Sequence, residues 1–140
     1  MSCELCDATG GPLLWQDARC RVIGVDEPGY PGFCRVIWNA HVKEMSDLDA
    51  ADRAHCMAVV FGVEQALRAL MHPDKINVAS LGNMVAHVHW HVIPRFADDP
   101  HFPQPIWGTR QREYRGRRSA DYRGLAAAIA ENLKNNNKIK

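Results

Sequence analysis

The run Ala86-His87-Val88-His89-Trp90-His91-Val92-Ile93-Pro94-Arg95 constrains this chain more than any other segment, because it alternates imidazoles with large apolar side chains. On a β-strand, side chains alternate faces with a period of two, so His87, His89 and His91 share one face while Val88, Trp90 and Val92 take the other. A helix would scatter both sets. The apolar face predicts burial against a core, and the imidazole face predicts an open surface able to bind a metal or meet a phosphate. Three of the chain's seven histidines stand in this register. Neighbouring imidazoles repel once protonated, and a purely structural strand is better served by Thr or Val, so the row reads as a site.

A length of 140 residues suits one domain with a core that needs no disulfide staples, here placed at 1–134 with a frayed tail at 135–140. A net charge of +1 gives no sign of a general nucleic-acid binder or a membrane-surface protein. No apolar run reaches the length of a membrane span, and Met1-Ser2-Cys3-Glu4 has none of the charged and apolar regions of a signal peptide, so the expectation is a cytosolic protein. Cys20, Cys34 and Cys56 lie in apolar segments and read as core thiols. Cys3 and Cys6 differ, because their Cys-x-x-Cys spacing lets two thiolates reach one tetrahedral metal.

Residues 20–25 and 33–38 read as two strands joined by the turn-rich 27–32, which predicts an antiparallel pair. Ser46-Asp47-Leu48-Asp49 has the form of a helix start with Ser46 as N-cap. Apolar positions then recur at Val59, Val60, Val63, Ala66, Leu67 and Leu70, predicting a long helix over 48–71 that ends before Pro73. Residues 75–81 read as a further strand, and Gly82-Asn83 as a turn toward the histidine strand. The segment 98–118 mixes Pro, aromatic and basic residues and predicts an ordered lid. Residues 119–133 predict a second helix with Leu125, Ile129 and Leu133 on one stripe. The sum is an α+β fold, an antiparallel sheet of about five strands with one long helix and a C-terminal helix.

His87 through Ile93 fits the signature of the histidine triad (HIT) family, His-x-His-x-His followed by two apolar positions. Pro94-Arg95, Gly82-Asn83-x-Val85 and the stretch Gly32 to His41 also resemble the family pattern, so the resemblance covers roughly 3–95. The stretch from Phe33 to His41, with His89-Trp90-His91 and His101-Phe102-Pro103, looks most like a bacterial branch similar to diadenosine tetraphosphate hydrolases. The resemblance implies a homodimeric nucleotidyl hydrolase or transferase acting at an α-phosphate. It makes His89 the nucleophile, with His87 and His91 flanking it as donors to phosphate oxygens. Asn83, in the place of the family's usual Gln, is implied to hold the α-phosphate or leaving group. Asn77 is the best match to a ribose- or phosphate-binding asparagine. Arg95 reads as a cation behind the site or as a surface residue with a solvated head. His101, Trp107 and Arg110 lie where a late segment can close over substrate, although a Trp between prolines also reads as plain packing.

Two positions depart from the pattern: Phe33 stands where the family commonly has His, and Met84 where it commonly has Ser. Some members, and the related galactose-1-phosphate uridylyltransferases, carry a structural zinc, and the corresponding positions here are Cys3, Cys6, His41 and His87. A His87 that binds metal is not free to donate to phosphate. Two readings from other classes stay open. One is a nucleotide-binding or sensing protein with negligible turnover, which the Phe33 and Met84 departures allow. The other is a metalloenzyme in which all three histidines bind one ion, against which stands a spacing of about 6–7 Å between successive same-face strand positions.

Overall fold

The antiparallel pair expected around the turn at 27–32 forms the centre of the sheet. In a computed structural model that describes residues 2–137, a short helix α1 (Glu4–Asp7) precedes β1 (Leu13–Gln16), β2 (Cys20–Gly24) and β3 (Cys34–Trp38). The long helix α2 (Ala50–Met71) follows, then β4 (Lys75–Ala79), β5 (His89–Arg95) and α3 (Tyr122–Asn137). The five strands lie in the order β1-β2-β3-β5-β4, with every neighbouring pair antiparallel. The expected α+β architecture is therefore observed.

Alternation divides the sheet into two unlike faces. Cys20, Val22, Cys34, Val36, Trp38 and Val92 pack against Cys56, Val59, Val60, Val63, Ala66 and Leu67 of α2 and against Leu125, Ile129 and Leu133 of α3. Both helices thus cover one face, and the three core cysteines are fully buried there. The register pairs Arg21 with Ile37, Ile37 with His89, Arg35 with His91 and Asn77 with Ile93, which puts these residues together on the opposite face. Gly32, at φ +87°, closes the turn into β3 where a Cβ would run into the Met71 sulfur.

Four boundaries differ from the sequence reading. The N-cap of α2 is Asp49, whose carboxylate accepts from the Asp52 N–H at 2.8 Å, while Ser46 lies in a preceding 3-10 turn, Met45–Asp47. Both sites have capping chemistry, and the one whose backbone is extended immediately before the helical run prevails. Strand β5 starts at His89 rather than Ala86, because the Val88 backbone bonds Val42 and Trp38 and turns the chain at that point. The strand over 75–81 stops at Ala79. Helix α3 begins later than residue 119 and runs to Asn137, so 135–137 are helical, while 138–140 lie outside the described residues. Strand β1 and helix α1 were not anticipated.

Candidate functional site

His89 and His91 stand on adjacent same-face positions of β5 with ring centroids 5.2 Å apart. His89 Nδ1 lies 2.6 Å from the carbonyl oxygen of His87. A carbonyl only accepts, so Nδ1 carries the hydrogen and Nε2 presents its lone pair. His91 is fixed the other way round: its Nδ1 accepts from Arg35 Nε at 3.4 Å, leaving Nε2–H as a donor. Two neighbouring imidazoles thus offer opposite functions, a nucleophilic nitrogen and a donor.

His87 leaves the row expected of it. It is 1% exposed, and its Nε2–H donates to the carbonyl of Trp38. Its Nδ1 points into a cluster with Cys3 Sγ at 3.5 Å, Cys6 Sγ at 3.5 Å and His41 Nδ1 at 3.3 Å, and Cys6 Sγ lies 3.4 Å from His41 Nδ1. With both ring nitrogens committed, His87 does not serve as a side-chain donor to phosphate. The reason is the strand boundary: period two ends at His89, and the side chain before it is free to point elsewhere. What His87 gives the site is its carbonyl, which orients His89.

Beside the pair, Phe33 meets His91 edge-on at 5.8 Å and carries the Arg35 guanidinium 5.8 Å above its ring. Trp107, half exposed, also meets His91 edge-on, at 5.1 Å. Burial first, and then the Arg35 charge, push the His91 imidazole down to about 4, so it is neutral at pH 7. An unfolded chain holds the ordinary value near 6.5 and binds the extra proton between these limits. Stability therefore falls as pH drops from about 6.5 toward 4. Wild type should lose about 2 kcal/mol more than His91→Gln between pH 7.5 and pH 5, read from urea melts at the two values. Parallel losses in the two proteins would contradict the burial of a neutral His91.

The other expected substrate contacts divide. Arg95 is 2% exposed and fully committed: Nε and Nη2 to Asp99 at 2.7 and 3.0 Å, Nη1 to Asn77 Oδ1 at 2.7 Å, and Nη2 also to the Gln104 carbonyl at 2.7 Å. Of the two readings, the solvated head is excluded, because Asp99 closes on the guanidinium from the following loop and buries it, so that Arg95 makes no direct contact with substrate. Burial opposes ionisation of Asp99, but hydrogen bonds from Arg95 and from the N–H groups of Phe102, Phe96 and His101 outweigh it and hold the carboxyl below its usual range. His101 belongs to the same node, stacked on Tyr30 at 5.8 Å and hydrogen-bonded to its hydroxyl. Asn77 spends its oxygen on Arg95 and lines a 440 Å³ groove with Ala79, Pro103, Pro105 and Trp107. Asn83 and Met84 are exposed in the 80–88 loop. Of the late segment, Trp107 reaches the histidines. Arg110 is exposed and, among the described residues, bonds only its own loop, at the Arg112 carbonyl.

Sequence reasoning missed Arg35 as a member of the site. Its signal was legible: a single charge in the otherwise apolar strand 33–38, in phase with Phe33 and Ile37.

The family model of the HIT domain matches residues 11–98, from β1 through the histidine strand. The chain belongs to the HIT domain family. Its fold also matches a histidine triad protein of Sinorhizobium meliloti 1021, at 28% identity and a TM-score of 0.72, covering 95% of this chain and 96% of the other. A histidine triad protein of Bradyrhizobium japonicum gives 25% identity and a TM-score of 0.71, over 89% and 92%. Among curated proteins, the AP-4-A phosphorylase of Mycobacterium tuberculosis is 28% identical over 89 residues, which are 59% of this chain and 46% of that protein. The chain thus spans about half the length of this curated relative. The family match includes the histidine strand and ends at residue 98, ahead of Asp99 and Trp107. No helix among the described residues is long and apolar enough to cross a membrane.

Proposed function

We propose that this HIT protein cleaves a nucleotide at its α-phosphate through a nucleotidyl-histidine intermediate on His89. The observation that carries the reading is the pairing of tautomers: His89 Nε2 is held as a lone pair by the His87 carbonyl, next to a His91 held as a donor. Attack by that lone pair forms a nitrogen–phosphorus bond and expels the group beyond the α-phosphate. Water then cleaves the intermediate, so one difficult displacement becomes two easier ones. His91 Nε2–H donates to phosphate oxygens as charge redistributes. The similarity to an AP-4-A phosphorylase favours substrates of the dinucleoside polyphosphate type, with nucleoside phosphoramidates as the other class. Asn83 is proposed as a contact made on binding, and Trp107 as a cover over His91.

A nucleotide sensor is the competing reading. Steady-state turnover across a panel of dinucleoside polyphosphates and phosphoramidates, set beside equilibrium binding of adenosine monophosphate, separates the two. Turnover supports the enzyme. Tight binding with no turnover selects the sensor.

We further propose that Cys3, Cys6, His41 and His87 hold a structural zinc ion. A tetrahedron with zinc–nitrogen bonds of about 2.0 Å and zinc–sulfur bonds of about 2.3 Å has edges of about 3.3 Å between nitrogens and about 3.5 Å between nitrogen and sulfur. Four of the six donor pairs are spaced at 3.3 to 3.5 Å, and all four atoms lie within 4.8 Å of one another. The Trp38 carbonyl on His87 Nε2 fixes the tautomer that turns Nδ1 to the ion. Bound zinc would tie the N-terminal segment to the sheet without entering the chemistry. Protein purified without added metal should contain about one zinc per chain, and strong chelator should lower its melting temperature. Less than about a tenth of an equivalent, with no effect of chelator, would contradict it. A homodimer belongs to the same proposal and rests on the family resemblance. A cytoplasmic location and the absence of a nucleic-acid partner are carried over from the sequence reading, the latter from the net charge of +1.

A further inference from the structure

We propose that Arg35 binds the phosphate on the leaving-group side of the scissile bond and so biases the site toward substrates that expel a phosphate rather than an amine. This rests on the reading of His89 as the attacking group.

Arg35 lies directly across the β3–β5 ladder from His91, and its Nε donates to His91 Nδ1. Among the described residues it meets no carboxylate, whereas Arg95 is matched by Asp99, and Arg21 is spent on the carbonyls of Leu5, Ala8 and Thr9 and on Asn39. A half-buried guanidinium beside two neutral rings loses hydration with no counter-charge to replace it. With Nε turned to His91, both terminal nitrogens remain available, and a planar fork of N–H donors matches phosphate oxygens bidentately. Phe33 fixes the fork from below, with the guanidinium carbon 5.8 Å from its ring centre.

The surroundings say which part of a substrate reaches it. Ile37, which faces His89 across the ladder, is buried under Leu5 and Ile23, so that side of His89 is closed. The open side runs past His91 toward Arg35 and Trp107. When the His89 lone pair bonds to the α-phosphorus, the bond to the bridging oxygen breaks and that oxygen keeps the electron pair. A departing phosphate then carries one more negative charge and needs a cation, not a proton. A departing amine keeps the pair on nitrogen and needs a proton, which His91, neutral at pH 7, is poorly suited to give. The Arg35–His91 pair therefore serves the first kind of leaving group.

The test compares wild type with Arg35→Met and Arg35→Lys, both of which keep a long stem on the half-buried platform. The ratio of kcat/KM for a dinucleoside tetraphosphate to that for adenosine 5′-phosphoramidate should fall by about 100-fold in Arg35→Met and by less in Arg35→Lys. Equilibrium binding of inorganic pyrophosphate to the unreacted protein should weaken at least about tenfold in Arg35→Met. An unchanged ratio, or equal losses on both substrates, overturns the leaving-group role. If wild type turns over neither substrate, the assignment of activity fails by itself. Pyrophosphate binding then still decides Arg35, and affinity equal in wild type and Arg35→Met rejects it.

Discussion

His89→Ala is expected to lose turnover by about 10⁴-fold while binding nucleotide within a few-fold of wild type. The separation follows from what the side chain contributes. Its Nε2 forms a bond only as the transition state is reached, so its removal costs little ground-state affinity. The fold should survive, because the ring is anchored by one bond to a backbone carbonyl and the core lies on the opposite face of the sheet. His89→Gln separates shape from chemistry, since it fills much of the same space without an imidazole. Turnover within tenfold of wild type in either variant would take the nucleophile away from His89.

Asp99→Ala should destabilise the protein by about 3–5 kcal/mol, or a fall in Tm of the order of 10 °C. Arg95 and Asp99 are 2% and 1% exposed, and removing the carboxylate leaves a buried guanidinium with no balancing charge. The same change orphans the N–H groups of Phe96, His101 and Phe102. Because the node ties β5 to the segment that carries Trp107, loosening it should also raise the substrate KM of whatever folded protein remains. Asp98→Ala supplies the contrast. That carboxylate, 58% exposed, pairs with Arg118 at 3.1 Å, and its loss should stay within about 0.5 kcal/mol. Thermal melts of the two variants side by side would show whether burial, rather than proximity of charges, sets the cost. Equal shifts would contradict it.

The sheet and the long helix were legible because their signal is periodic: alternate apolar residues mark strands, and recurrence from Val59 to Leu67 marks the buried face of α2. His89 and His91 were readable for the same reason. The reading of His87 as a flanking phosphate donor fails, while it does lie among the metal-ligating candidates, because period two holds only inside a strand. The strand begins two residues later, where backbone bonds of Val88 to Val42 and Trp38 set the boundary, and no side-chain pattern reports them. Arg95 shows a different limit. Its partner Asp99 is four residues away, but the pairing depends on a loop folding back on the strand, which sequence spacing outside a helix does not encode. The cluster of Cys3, Cys6, His41 and His87 joins residues up to 84 apart, and family resemblance rather than periodicity brought them together beforehand. Short elements such as α1 and β1 carried too few turns or alternations to stand out.

The central claim, that His89 takes the nucleotidyl group, is tested most directly by trapping the intermediate. Wild-type protein mixed with a labelled dinucleoside polyphosphate and quenched without acid should gain the mass of one nucleotidyl group, mapping to the peptide that carries His89 and absent from His89→Ala. Label on His91, on His87 or on any other residue, label persisting in His89→Ala, or turnover by wild type with no covalent species trapped, would contradict the account.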